Sequence, residues 1–73
     1  MRVTFDASKR AKTLAERGLD FSRAGEVFNG ETKTVPDMHQ DYGEQRSFTI
    51  GRLDGRMVVV VWTQRGEMRR IIS

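Results

Sequence analysis

Arg46 to Ser73, RSFTIGRLDGRMVVVVWTQRGEMRRIIS, holds three extended runs joined by two glycine-containing turns. Within it, Met57 to Trp62 is the one continuous apolar segment of the sequence. A valine-rich run bounded by turn residues reads as a strand buried on both faces, because β-branched side chains pack well on a pleated surface. It is the expected central strand. Asp54-Gly55 is a two-residue hairpin signal, since both turn positions need positive φ and these residues tolerate it. Gln64-Arg65-Gly66 reads as a three-residue counterpart with Gly66 left-handed. The expectation is a three-stranded antiparallel meander.

Those turns fix which side chains share a face. With Asp54-Gly55 at the tip, Phe48 lies opposite Val61 and Ile50 opposite Val59, so Phe48, Ile50, Met57, Val59 and Val61 project together. This greasy set is the expected core face. Ser47, Thr49, Val58, Val60 and Trp62 then share the open face. A three-residue second turn sends Arg69 and Ile71 to the core side and stands Met68, Arg70 and Ile72 beside Trp62. A two-residue turn would swap these sets, because a slip of one residue moves every side chain across the sheet.

The 73 residues make a single domain, 1–73, near the size at which burial only just suffices for independent folding. There is no cysteine, which excludes a disulfide framework and a thiolate metal site and favours a reducing compartment. No apolar run reaches membrane-spanning length and residues 1–20 lack a secretory apolar stretch, so the expected location is the cytoplasm. Net charge is +3 and the sequence pI is about 10.0, but the distribution says more. Residues 1–25 carry six basic and three acidic side chains, residues 26–45 one and five, and residues 46–73 six and two. Every basic residue of the last block is arginine, whose planar donor fork suits phosphate.

From the start, Arg2 to Phe5 alternates and is short, reading as an edge strand. Asp6 is a good N-cap for a helix over Ala7 to Arg17, with Ala7, Ala11, Leu14 and Ala15 on one stripe and Gly18 as its stop. Asp20 caps a second helix, Phe21 to Phe28, whose apolar positions are Phe21, Ala24, Val27 and Phe28. Asn29-Gly30 is a turn and Glu31 to Val35 a short strand. Pro36 to Gln45, PDMHQDYGEQ, reads as a surface loop that gathers Asp37, His39, Asp41, Tyr42 and Glu44. The order is β-α-α-β-β-β-β, an α+β pattern with both helices on one face of a mainly antiparallel sheet.

Several motifs resemble one family. They are Phe5-Asp6 with Lys9, Gly18 to Phe21, Asp41 to Glu44 with Arg46, Thr49 to Gly51, Val58 to Val60, Thr63 with Arg65-Gly66, and Arg70 to Ser73. In this order and spacing they look like the BrnT-type toxins. The resemblance implies a RelE-like ribonuclease, the toxin half of a bacterial toxin-antitoxin pair. Its implied partner is a DNA-binding, BrnA-like antitoxin that neutralises it in a heterotetramer. The chain departs from the family at Arg17, where a histidine is usual, and at Thr13 and Glu16. The family also continues past I-I-S into a basic segment and a terminal helix, whereas this sequence ends at Ser73, so the expectation is a RelE-like fold lacking that helix.

Metal-free RNA cleavage needs a base for the 2′-hydroxyl, an acid for the leaving oxygen and cations for the phosphorane. Arg70 and Arg65 are the candidates for phosphate stabilisation, although a solvated strand arginine and an exposed turn arginine would look the same. His39, the single histidine, titrates near neutrality without help, unless it is an idle loop residue. Glu44 is a candidate base or a partner for Arg46. Trp62 is placed to stack on a base, and Lys9 and Arg46 to meet phosphate; Trp62 packed under a further segment is the competing expectation. No cofactor is expected, and Asp37, His39 and Asp41 are a weak metal set. The competing class is a non-catalytic RNA- or antitoxin-binding module.

Overall fold

A computed structural model describes residues 2–38 and 44–73 of the protein. His39, Asp41 and Tyr42 of the acidic loop lie outside the described residues. The elements are β1 (Val3–Phe5), α1 (Ala7–Arg17), a 3₁₀ turn (Phe21–Arg23), α2 (Ala24–Asn29), β2 (Lys33–Pro36), β3 (Arg46–Leu53), β4 (Arg56–Arg65) and β5 (Met68–Ile71). They form an α+β fold around one sheet in the order β1-β5-β4-β3-β2, so the valine-rich strand is central. β1 takes the edge beside β5 and is the parallel member of an otherwise antiparallel sheet.

Local chemistry sets the element ends. The Asp6 carboxylate accepts from the amides of Ser8 and Lys9 at the start of α1, and Gly18, at φ 69°, closes it by donating to Leu14 O. Asp20 accepts from Ser22 N and opens the 3₁₀ turn. At the β3–β4 tip Asp54 and Gly55 both take positive φ, 53° and 77°, the sign pattern of a I′ turn. The second hairpin differs from expectation. Arg65 pairs with Met68, so its loop is the two residues Gly66-Glu67, with Gly66 left-handed at φ 61°.

The core lies on the side of the sheet opposite to the one expected. Phe21, Ala24, Val27, Val60 and Ile71 are buried together, with Val58, Trp62 and Leu53 packed against them. Phe5 meets Phe21 edge to face at 6.3 Å and Phe28 meets Trp62 at 5.6 Å. The reason is space: an ideal Cβ on Gly51 would sit 2.7 Å from Val27 Cγ1 and 3.0 Å from Thr32 Cγ2. Bare backbone at Gly51 lets α2 lie close against β3, and the small Thr49 two residues away is fully buried on the same side. Phe48, Ile50, Met57, Val59 and Val61 therefore form the bare face, and of the β4 side chains on that face only Thr63 is buried.

The alanine stripe of α1 is also overturned. Ala7, Ala11, Leu14 and Ala15 are exposed, while Arg10 and Thr13 are half-buried. Arg10 accounts for this: its Nε and Nη2 donate to the two carboxylate oxygens of Asp20 at 2.7 and 3.0 Å, which turns that side of α1 inward. The pair holds the Asp20 carboxyl well below the usual carboxylate range. Across the other end, Arg23 clamps both Glu26 and Asp54, tying α2 to the hairpin tip. Past β5, the amides of Ile72 and Ser73 both donate to Val61 O, and Val61 N donates to Ser73 O. Two residues thus face one, a β-bulge at the end of the sheet.

Candidate functional site

Strand pairing places side chains in rows across the bare face, because directly opposed residues share a side. One row runs Thr4, Arg70, Thr63, Arg46 across β1, β5, β4 and β3. The next holds Val61, Phe48 and Val35, and the one after it Val59, Ile50 and Lys33. On the other side of the arginine row stand Arg65 and Met68. Among the described residues the five strands contain no aspartate or glutamate, although the buried Asp37 follows β2 and donates its amide to Arg46 O at 2.8 Å; the face pairs an arginine-rich end with an apolar end.

Arg70 and Arg46 flank Thr63, which is buried and donates from its hydroxyl to Gln45 O at 2.7 Å. Among the described residues Arg70 has no carboxylate partner. Arg65 is engaged: its Nη2 lies 3.1 Å from Glu44 Oε2 and its Nε 3.3 Å from the same oxygen. Glu44 thus pairs with Arg65 and not, as expected from sequence, with Arg46. The structure brings Arg70, Arg46, Arg65 and Glu44 to one end of one face. Lys9 is not among them. It lines a cleft with Lys12, Arg17, Phe21 and Ile72 on the helix side. His39 lies outside the described residues.

Trp62 is the main correction. The sequence places it on the bare face beside Arg70; in the structure it pairs with Ile71 and packs against the buried cluster. Its indole Nε1 donates to Thr49 Oγ1 at 2.7 Å, and Thr49 in turn shares a hydrogen bond of 2.8 Å with Thr34. An indole N–H in an apolar setting needs an acceptor, and this threonine pair supplies it. Trp62's arginine neighbour is Arg69, whose guanidinium carbon lies 4.7 Å from the indole and 4.2 Å from the Phe28 ring. Cation–π contact substitutes for hydrogen bonding here, since the Arg69 Nε is buried without a partner. The signal that would have placed Arg69 is the Gly66-Glu67 turn, one residue shorter than expected.

Fold and face together define a small α+β protein whose sheet is covered by helices on one side and offers arginines and aliphatic side chains on the other. No helix among the described residues is long and apolar enough to cross a membrane. Residues 5–73 match the family described as the ribonuclease toxin BrnT of type II toxin-antitoxin systems, and the chain belongs to that family. Membership implies an antitoxin partner and an RNA target. No curated protein and no solved structure matched the chain.

Proposed function

We propose that this protein is a RelE-like endoribonuclease that cuts RNA without metal at the arginine end of the bare face and so inhibits translation in the cytoplasm. A DNA-binding, BrnA-like antitoxin neutralises it in a heterotetramer. The observation that carries the site is the row Arg70–Thr63–Arg46, which sets two guanidiniums on one face on either side of a threonine.

In this mechanism the RNA 2′-oxygen attacks the adjacent phosphorus and the P–O5′ bond breaks, leaving a 2′,3′-cyclic phosphate and a 5′-hydroxyl. Arg70 and Arg46 meet the charge that grows on the non-bridging oxygens, where fixed donors act most strongly. Glu44 takes the 2′-hydroxyl proton while Arg65 fixes the orientation of its carboxylate. His39 supplies the proton to the departing oxygen.

A defined RNA incubated with purified protein in EDTA tests this. Cleavage is expected, with Arg70→Ala lowering it by roughly 100-fold or more; unchanged cleavage by that variant would remove Arg70 from the site. One observation favours a second reading: the Arg65–Glu44 pair already occupies two of the candidate groups. A non-catalytic module that binds RNA or antitoxin would retain the RNA intact at every protein concentration.

A further inference from the structure

The apolar end of the bare face has no role in the chemistry above. Met57 is 70% exposed, Val59 54% and Val35 37%, and the half-buried Phe48, Ile50 and Val61 join them into contiguous rows. Lys33 lies in the row with Ile50 and Val59, and Arg52 opposite Met57. Lys33, Ile50, Arg52 and Met57 also line one shallow groove, where Glu31 is the acidic residue. A contiguous aliphatic patch rimmed by cations is a protein-docking surface in its chemistry.

Three occupants compete, and charge and shape separate them. Nucleic acid gains little from methionine, valine and isoleucine, which neither stack on bases nor bond to them, and the one ring of the patch, Phe48, is half-buried in its row between Val35 and Val61. A second copy laid face to face across a two-fold axis would bring one cationic rim against another. An amphipathic helix with an aliphatic ridge and flanking carboxylates matches both the rows and the rim. We infer that the Phe48, Ile50, Met57 and Val59 face docks an acidic amphipathic helix of the antitoxin, and that this helix blocks RNA by overhanging the arginine row. The inference rests on the toxin-antitoxin reading for the identity of the partner. Geometry supplies the blocking. Successive rows on one face lie about 7 Å apart along a strand, whereas a helix with its side chains is roughly 10–12 Å across. Thr63 itself is buried, so a helix seated over Val59, Ile50, Val61 and Phe48 reaches into the row at the half-buried Arg70 that flanks it.

The test is the affinity of the purified chain for the antitoxin encoded with it, measured by calorimetry for wild type and for Met57→Asp/Val59→Asp. The double variant is expected to bind roughly 100-fold more weakly, and its RNA cleavage to escape inhibition by the antitoxin. Lys33→Glu/Arg52→Glu is expected to slow association and flatten its salt dependence. Hydroxyl-radical oxidation of Met57 in the wild-type chain, with and without antitoxin, gives a readout without any substitution, and Met57 should be protected in the complex. Unchanged affinity in the double variant, or no protection of Met57, overturns the inference. So does loss of RNA cleavage with antitoxin affinity intact, which would make the patch an RNA surface. Self-association of the free chain that the double variant abolishes, with antitoxin binding untouched, would assign the face to a second copy instead. Should the wild type bind antitoxin through this face yet cut no RNA, the nuclease reading fails and the docking surface stands.

Discussion

Val60 and Val59 are adjacent on β4 and chemically identical, yet Val60 is 7% exposed beneath α2 and Val59 is 54% exposed on the bare side. Most of β4 follows this alternation, with Thr63, 3% exposed on the bare side, as the exception. The covered face carries the small or polar Gly51, Thr49 and Thr34 alongside Val58, Val60, Trp62 and Ile71, and the bare face carries Phe48, Ile50, Met57, Val59 and Val61 with arginines at one end. Apolar content therefore does not mark the core here; the closeness with which a helix can approach does.

The sharpest way to break this contrast is to place one charge on each side. Val60→Asp buries a carboxylate among Val27, Phe21 and Ile71 and is expected to cost several kcal/mol, on the order of 2–7, enough to unfold a domain of this size. Val59→Asp should shift stability by no more than about 0.5 kcal/mol. Chemical denaturation of the pair measures both, and equal losses would mean that the bare face is packed. Gly51→Ala comes next: its Cβ meets Val27 Cγ1 at 2.7 Å, and the forced shift of α2 should cost about 1–3 kcal/mol. No change in unfolding midpoint would remove Gly51 as the reason for the choice of face.

Thr49→Val keeps the shape but leaves the Trp62 indole N–H without its acceptor, an expected loss of about 1–3 kcal/mol. With one tryptophan in the chain, fluorescence reports this site directly, and the variant should shift the emission. The smallest effects lie at the ion pairs that seat the helices. Asp20 is held low chiefly by its hydrogen bond from Arg10. A carboxylate lowered on folding gives stability that is complete above its unfolded value, about 3.9, and that is lost as pH falls through the lower folded value. Asp20→Asn should thus melt below the wild type at neutral pH, and the two should converge in acid; a pH-independent gap would assign the effect to the cap and not to the charge. Asp54→Asn keeps a residue that tolerates positive φ while weakening the Arg23 clamp, and only a small fall in Tm is expected.

Much of the frame was legible because its determinants are local. Asp6, Gly18, Asp54-Gly55 and Gly66 announce their elements by what their own backbone or side chain can do. The choice of face was not local. Val58 to Val61 has no alternation, so the strand's phase depends on what approaches it, and the partner that decides is Gly51 against Val27, distant in sequence. Arg70 reached the bare face as expected only because two errors cancelled: the covered side was reversed and the second turn was one residue shorter. Trp62 was subject to the first error alone, and so it lies in the core. The alanine stripe of α1 failed for a similar reason, since the bond between Arg10 and Asp20 outweighs a few small side chains in setting the helix's rotation.

The parallel pairing of β1 with β5 has a consequence for synthesis. Val3 to Phe5 leaves the ribosome first among the strands, and its neighbours Arg69 to Ile71 leave last. A nascent chain can form its hairpins and helices early, but Val3 to Phe5 waits for synthesis to pass Ile71 before it has an edge to join, the kind of distant contact that slows folding. Val3 and Phe5 stay uncovered until then, so closure of the sheet, and with it the row from Thr4 to Arg46, is a late event in the life of each new molecule.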